Sequence, residues 1–229
     1  MKCFAVATAA ALFAVPCLFA QDPVQVSAEN HKVEIENAQV RVLRAKLGPR
    51  EKVPMHQHPE SVMVFLTDVH QRITTSDGTV QEFRRTRGAT SHHMGVTHAE
   101  ESLSDLPLEV IIIELKPGAR PAQTSSLSPE FDPVKIDPKY HTVDFENERV
   151  RVLRTVLDPN IQSPLHEHPS YVVVYLTDLH TKMTYPNPDN VRKAGDVAFR
   201  SGPFKHSTVN VSTRRAEEIQ VELKQARNP

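Results

Sequence analysis

The sequence predicts an all-β chain in which one barrel-forming unit is written twice. Three observations carry this reading. Short β-branched apolar runs recur between turn signals, as in VMVFL at 62–66 and VIII at 110–113. No stretch of a dozen residues holds a clean helical period, and 18 prolines stand against 7 glycines, a composition of strand ends and stiff loops. The chain also repeats itself: PMHQHPESVMVFLTDVH at 54–70 returns as PLHEHPSYVVVYLTDLH at 164–180.

The repeat sets the domain plan. Aligning 36–70 with 146–180 gives 19 identities in 35 positions. Upstream, HKVEIEN from His31 matches HTVDFEN from His141, and downstream LEVIIIELK matches EEIQVELK. A unit of about 100 residues is domain-sized rather than solenoid-sized. We place the first domain at 24–118 and the second at 134–225. Between them, KPGARPAQTSSLSPEFDP loses all apolar period, so 119–133 reads as a linker.

Within each unit strand follows strand. VRVLR at 40–44 alternates with period two, and HQRITT at 70–75 alternates and ends at the turn signal SDG. Many short strands at regular spacing predict a sandwich or barrel.

The first 20 residues read as a secretory signal peptide: Lys2, an apolar alanine-rich run over 4–19, then Ala20 before a polar segment. An uncleaved anchor is the rival reading. Cleavage predicts a periplasmic or secreted protein with no membrane segment, since no other stretch is apolar enough to span a bilayer. Cys3 and Cys17 both fall in this leader. The mature chain then has no disulfide, thiolate nucleophile or sulfur ligand. A net charge of −1 argues against a nucleic-acid partner.

The chemistry-bearing feature is His-x-His. His56 and His58 lie between Pro54 and Pro59, which disfavours a helix. On a strand, residues i and i+2 share a face, roughly 6.6 Å apart. Two imidazoles at that spacing can lean onto one metal ion. His166 and His168 repeat the arrangement. The candidate third ligands are His98 and His206, each after a glycine and shortly before the last long strand.

With these residues in view, the chain resembles the cupin superfamily, as a two-domain bicupin. His56/His58 and His166/His168 match the histidines of the first cupin motif. Gly195, His206 and Asn210 match the second motif, with Ser201 and Pro203 at its proline and glycine positions. In the first domain Gly88, Gly95 and His98 match, while His93 and Ser102 replace proline and asparagine. The motif's glutamate is absent: Ser61 and Tyr171 stand in that slot. The resemblance implies two tandem double-stranded β-helix (jelly-roll) barrels with sites inside them.

Two functional readings follow. In the first, His56, His58 and His98, or His166, His168 and His206, or both sets, hold a divalent transition metal that acts on a small organic molecule. Three neutral imidazoles suit Zn, Cu, Ni or Fe, and lack of a carboxylate disfavours Mg and Mn. In the second, the sites are vestigial, and the barrels form a metal-free, non-enzymatic ligand-binding or structural module. Neither reading names a catalytic residue or an organic cofactor, and the sequence leaves monomer and homodimer both open.

The remaining polar residues carry structural expectations. His92 and His93 read as loop residues, His70 and His180 as strand-edge residues, and Asp68 and Asp178 as turn formers. Arg41, Arg44, Arg151 and Arg154 read as a solvated strand face, and Tyr171 and Tyr175 as packed rings. On a strand Glu60 faces the other way from Ser61, and Glu167 alternates away from the histidines that flank it.

Overall fold

The computed structural model describes residues 21–117, 128–183 and 189–224. The leader at 1–20 and most of the linker, 118–127, lie outside them. The first lobe contains β1 (His31–Glu36), β2 (Val40–Leu47), β3 (Lys52–His58), β4 (Ser61–Phe65), β5 (Val69–Thr75), β6 (Val80–Arg85), β7 (Thr90–His93), β8 (Val96–Ser102) and β9 (Leu108–Leu115). The second contains β10 (His141–Glu146), β11 (Val150–Leu157), β12 (His166–His168), β13 (Tyr171–Tyr175), β14 (Leu179–Met183), β15 (Asp189–Arg192), β16 (Val197–Arg200), β17 (Phe204–His206), β18 (Thr208–Asn210) and β19 (Ala216–Leu223).

Each lobe opens with one helical turn, α1 (Pro23–Val26) and α2 (Pro133–Ile136). Asp22 and Asp132 cap these turns through their side chains, and proline takes the first helical position, where its missing N–H costs nothing. The structural repeat thus reaches back to Asp22-Pro23 and Asp132-Pro133.

The sheets are antiparallel. In the first lobe a five-stranded sheet, ordered β1-β2-β9-β4-β7, faces a four-stranded one, β3-β8-β5-β6. In the second, β10-β11-β19-β13-β16 faces two smaller sheets, β12-β17 and β15-β14-β18. Even the bulges repeat: register shifts at Val33/Ile35 and at Val143/Phe145.

Strand alternation divides the apolar residues between three cores. Leu43, Leu47, Phe65, Val110 and Ile112 fill the first barrel. Leu157, Val173 and Leu179 pack in the second beside Tyr171 and Tyr175. The opposite faces of the two five-stranded sheets meet each other. Val40, Val42, Val62, Val64, Ile111 and Ile113 pack on Val150, Val152, Val172, Val174, Ile219 and Val221 in one shared core. Each such side chain contributes about 1.5–3 kcal/mol by burial, so the two lobes are stabilised by a common apolar layer.

Polar ties border this layer. Arg44 Nη2 donates to Gly195 O at 2.6 Å, and Arg154 Nη2 donates to Gly88 O at 2.7 Å. Both glycines have positive φ, 91° at Gly195 and 81° at Gly88, a conformation that side-chain-bearing residues resist.

Three expectations need correction here. Arg41 and Arg44 do not share a solvated face, nor do Arg151 and Arg154. Three residues apart on a strand they point oppositely: Arg41 and Arg151 turn inward, Arg44 and Arg154 toward the other lobe. His92 and His93 are not in a loop but on β7. His92 Nε2 meets Glu60 Oε1 at 2.9 Å, and Glu60 also accepts from Arg149 at 2.8 Å. Asp68 and Asp178 tie distant backbone, accepting from Arg87 N and Ala194 N, rather than their own turns.

Candidate metal centres

The histidines converge by register. In the first lobe β3 and β8 pair so that His56 lies opposite His98. In the second, β12 and β17 set His166 opposite His206. His58 and His168 follow on the same faces, one alternation away. All six rings are buried. Ring centroids are 5.0 Å apart for His56–His58, 4.6 Å for His56–His98 and 5.6 Å for His58–His98. The second lobe gives 4.9, 4.3 and 5.4 Å for His166–His168, His166–His206 and His168–His206.

Each lobe adds a histidine beyond the sequence-derived set. His31, on β1, lies 5.2 Å from His56 and 5.8 Å from His58 between ring centroids. His141 lies 4.9 Å from His166. Ligand nitrogens of His31, His56 and His58 fall within 4.8 Å of one another, as do those of His166, His168 and His206. His98 groups with His56 and Glu100 by the same measure. Two nitrogens that share one ion sit at most roughly 4.2 Å apart, so closure of the His31/His56/His58 and His166/His168/His206 groups needs shifts of only some tenths of an ångström, whereas the expected trio His56, His58 and His98 is not drawn together as one such group. The repeated HKVEIEN and HTVDFEN carried the signal for His31 and His141, as a histidine kept in both copies. Glu100 has no counterpart in the second lobe, where Thr208 follows His206 at that spacing.

The rings are oriented for ligation. His56 Nδ1 lies 2.7 Å from Pro54 O, and His166 Nδ1 lies 2.8 Å from Pro164 O. A carbonyl only accepts, so Nδ1 carries the proton and Nε2 presents its lone pair. His58 Nδ1 meets Glu114 Oε1 at 2.8 Å, and His168 Nδ1 meets Glu222 Oε1 at 2.7 Å. Among the described residues, the Nε2 atoms of His56, His168 and His206 are buried without a hydrogen-bond partner.

The carboxylate that Ser61 and Tyr171 do not supply stands one strand over. Ser61 is the register partner of Glu114, and Tyr171 of Glu222. These glutamates hold a histidine instead of facing the cluster. Arg41 Nε donates to Glu114 at 2.6 Å and reaches Asp22 at 2.5 Å. Arg151 links Glu222 at 2.6 Å to Asp132 at 3.1 Å. A chain from helix cap to arginine, glutamate and histidine therefore recurs in both lobes. Such outer partners fix the tautomer and raise the basicity of a ligating imidazole.

Electrostatics keep the cluster neutral. Burial, with repulsion from neighbouring histidines, lowers His31 to about 4 and His98 and His141 to about 3. Burial also lowers His56 to about 4 and pulls down His166, His168 and His206. At neutral pH these rings are uncharged, the form a metal requires. Burial pushes the Glu114 carboxyl up, but hydrogen bonds from His58 and Arg41 outweigh it and hold it below the usual range. At Glu222 burial wins over Arg151, and the carboxyl is raised.

The other predicted residues stand apart. His93 pairs with Ser91, while His70 on β5 and His180 on β14, both strands flanked on either side, pair with Glu82 and Asp189. Glu167 turns outward to accept from Ser128 N. Tyr171 packs 5.0 Å from His168 between ring centroids. With Tyr175, Arg200 and Glu218 it lines a cavity of about 30 Å³ beside the second cluster.

No family model matches the sequence, and no curated protein matches it. Solved structures do. AerE from Microcystis aeruginosa superposes with a TM-score of 0.61 at 15% identity, covering 85% of this chain and 97% of that one. A mutant of salicylate 1,2-dioxygenase from Pseudoaminobacter salicylatoxidans gives 0.58 at 14%, covering 88% and 78%. Oxalate decarboxylase from Bacillus subtilis, described for its Mn(II) centres, gives 0.57 at 11%, covering 88% and 77%. At these identities the likeness establishes the fold: two cupin barrels in one chain, a bicupin.

Proposed function

We propose that this bicupin is an exported metalloprotein that holds a divalent transition metal in each lobe and uses it to bind or transform a small organic molecule. His31, His56 and His58 hold the ion in the first lobe, with His98 alongside. His166, His168 and His206 hold it in the second. The observation that carries this is the set of buried, unpartnered Nε2 lone pairs, whose desolvation otherwise goes uncompensated at about 1–3 kcal/mol each. The related fold of oxalate decarboxylase, described for its Mn(II) centres, supports it.

The all-nitrogen second cluster favours Zn, Cu, Ni or Fe. A bound ion would supply Lewis acidity toward a water or a substrate oxygen. The chain's own part is orientation: Pro54 and Pro164 carbonyls and the two glutamates hold each Nδ1–H, so that Nε2 faces inward.

Elemental analysis of protein purified without added ions tests this. We expect close to two transition-metal ions per chain, falling to one in His56→Ala/His58→Ala and in His166→Ala/His168→Ala. Absence of metal, with no change in melting temperature on adding Zn, Cu, Ni or Fe, would select the metal-free module instead. Export is tested by fractionating cells that express the full chain and sequencing the mature N-terminus.

A further inference from the structure

The two barrels share a backbone but not an interior. At matched register positions, Phe65, Val110 and Ile112 of the first lobe become Tyr175, Glu218 and Gln220 in the second. Ala45 becomes Thr155, Ser61 becomes Tyr171 and His93 becomes Arg200. Away from its histidines, the first interior is packed with apolar side chains. The second holds the cavity of about 30 Å³, lined by His141, His166 and His206 together with Arg200, Glu218 and Tyr175. Interiors pack to crystal-like density unless something is meant to enter, and small-molecule sites pair an apolar wall with a few convergent polar groups.

Arg200 gives the chamber its sign. Arg41, Arg44, Arg151 and Arg154 each hold a carboxylate. Among the described residues, the Arg200 guanidinium makes no side-chain hydrogen bond or ion pair, although it lines the cavity and its charge acts on Glu218, Tyr171 and Tyr175. Glu218 accepts from Gln220 Nε2 at 2.8 Å instead of pairing with the guanidinium. Burial also pushes the Glu218 carboxyl up to about 7, so through mildly acidic pH it is a proton donor. A guanidinium free to bind, a carboxylic acid and two tyrosines beside a cation site suit an anion with further oxygen atoms.

We propose that the second lobe alone is the ligand-accepting lobe, that its occupant is a small carboxylate of a few heavy atoms bound by Arg200, and that the first lobe's metal centre is structural. This rests on the metal reading above, but its failure is separable from that reading's. The test uses the full chain loaded with Co(II) and titrated with formate, acetate, glycolate and pyruvate, followed by visible absorption. We expect at least one of these to perturb about half the cobalt signal in the parent protein. In His56→Ala/His58→Ala, where only the second lobe is loaded, the whole signal should respond. In His166→Ala/His168→Ala none should. Arg200→Gln should keep its cobalt and bind the carboxylate about 10- to 100-fold more weakly, the worth of one charge-assisted contact.

A response from the first lobe, no response to any of the four carboxylates, or unchanged affinity in Arg200→Gln would overturn the proposal. Should the protein take up no metal, the metal reading falls. The chamber is then read from melting-temperature shifts with the same four carboxylates. A shift lost in Arg200→Gln but kept in His93→Gln upholds the assignment of Arg200, and no shift overturns it.

Discussion

His58 Nδ1 lies 2.8 Å from Glu114 Oε1, and His168 Nδ1 lies 2.7 Å from Glu222 Oε1. The same bond recurs at matched positions in both lobes, backed each time by an arginine. Removing the carboxylate charge leaves the histidine free to change tautomer and lowers its basicity. Glu114→Gln or Glu222→Gln should weaken metal binding in its own lobe by about 10- to 100-fold. Competition with a chelator, read lobe by lobe in the His-pair variants, checks this. Equal affinity in the glutamine variants would reduce these glutamates to packing.

The shared core predicts that the lobes unfold together. All four tyrosines, at 140, 171, 175 and 185, belong to the second domain's sequence, so tyrosine fluorescence reports that lobe alone. Ile113, fully buried in the first-lobe half of the common layer, should cost about 2–5 kcal/mol when cut to alanine. In urea, Ile113→Ala should lower the midpoint of the tyrosine signal. A midpoint that stays put would mean the lobes are independent.

Metal-free protein should be acid-labile in a defined window. His31, His56, His98, His141, His166, His168 and His206 have folded pKa values below the unfolded value near 6.5, with His31 and His56 near 4. Between these limits the unfolded chain binds more protons. Stability is therefore full above pH 6.5 and falls as pH drops toward 4, by about 1.4 kcal/mol per pH unit for each such histidine. Denaturation of chelator-treated protein from pH 7.5 to 4.5 measures it. A flat profile would mean the rings take up protons freely.

Glu218 predicts the opposite slope. Its folded pKa, near 7, lies above the unfolded value near 4.5. The unfolded chain ionises first, so this carboxyl costs stability as pH rises through that interval. Glu218→Gln should gain about 1–2 kcal/mol at pH 8 and little at pH 4.5. Equal effects at both pH values would argue that the group is solvated.

What the sequence by itself determined is the periodic part. Alternation in VRVLR and VMVFL, the density of proline and the internal repeat sufficed for an all-β, two-barrel chain. Adjacent ligands were legible for the same reason, since His56 and His58 share a face on any extended strand. His98 and His206 were legible more weakly, from their place after a glycine and before the last long strand and then from the resemblance, because no local rule relates them to the pairs. What only the tertiary structure decided lies between strands. Register set Glu114 beside His58 and Arg41 beside Glu114. The meeting of two sheets turned Arg44 and Arg154 from solvent-facing residues into ties between lobes. Alternation says that neighbours point oppositely, not which face will be covered, so these arginines could not be assigned from their strands alone. His31 and His141 reach the clusters only because β1 and β10 pair with β2 and β11 at the edges of the five-stranded sheets. Long-range pairing fixes such contacts, and its free energy comes from burial shared across the whole sheet rather than from any short segment.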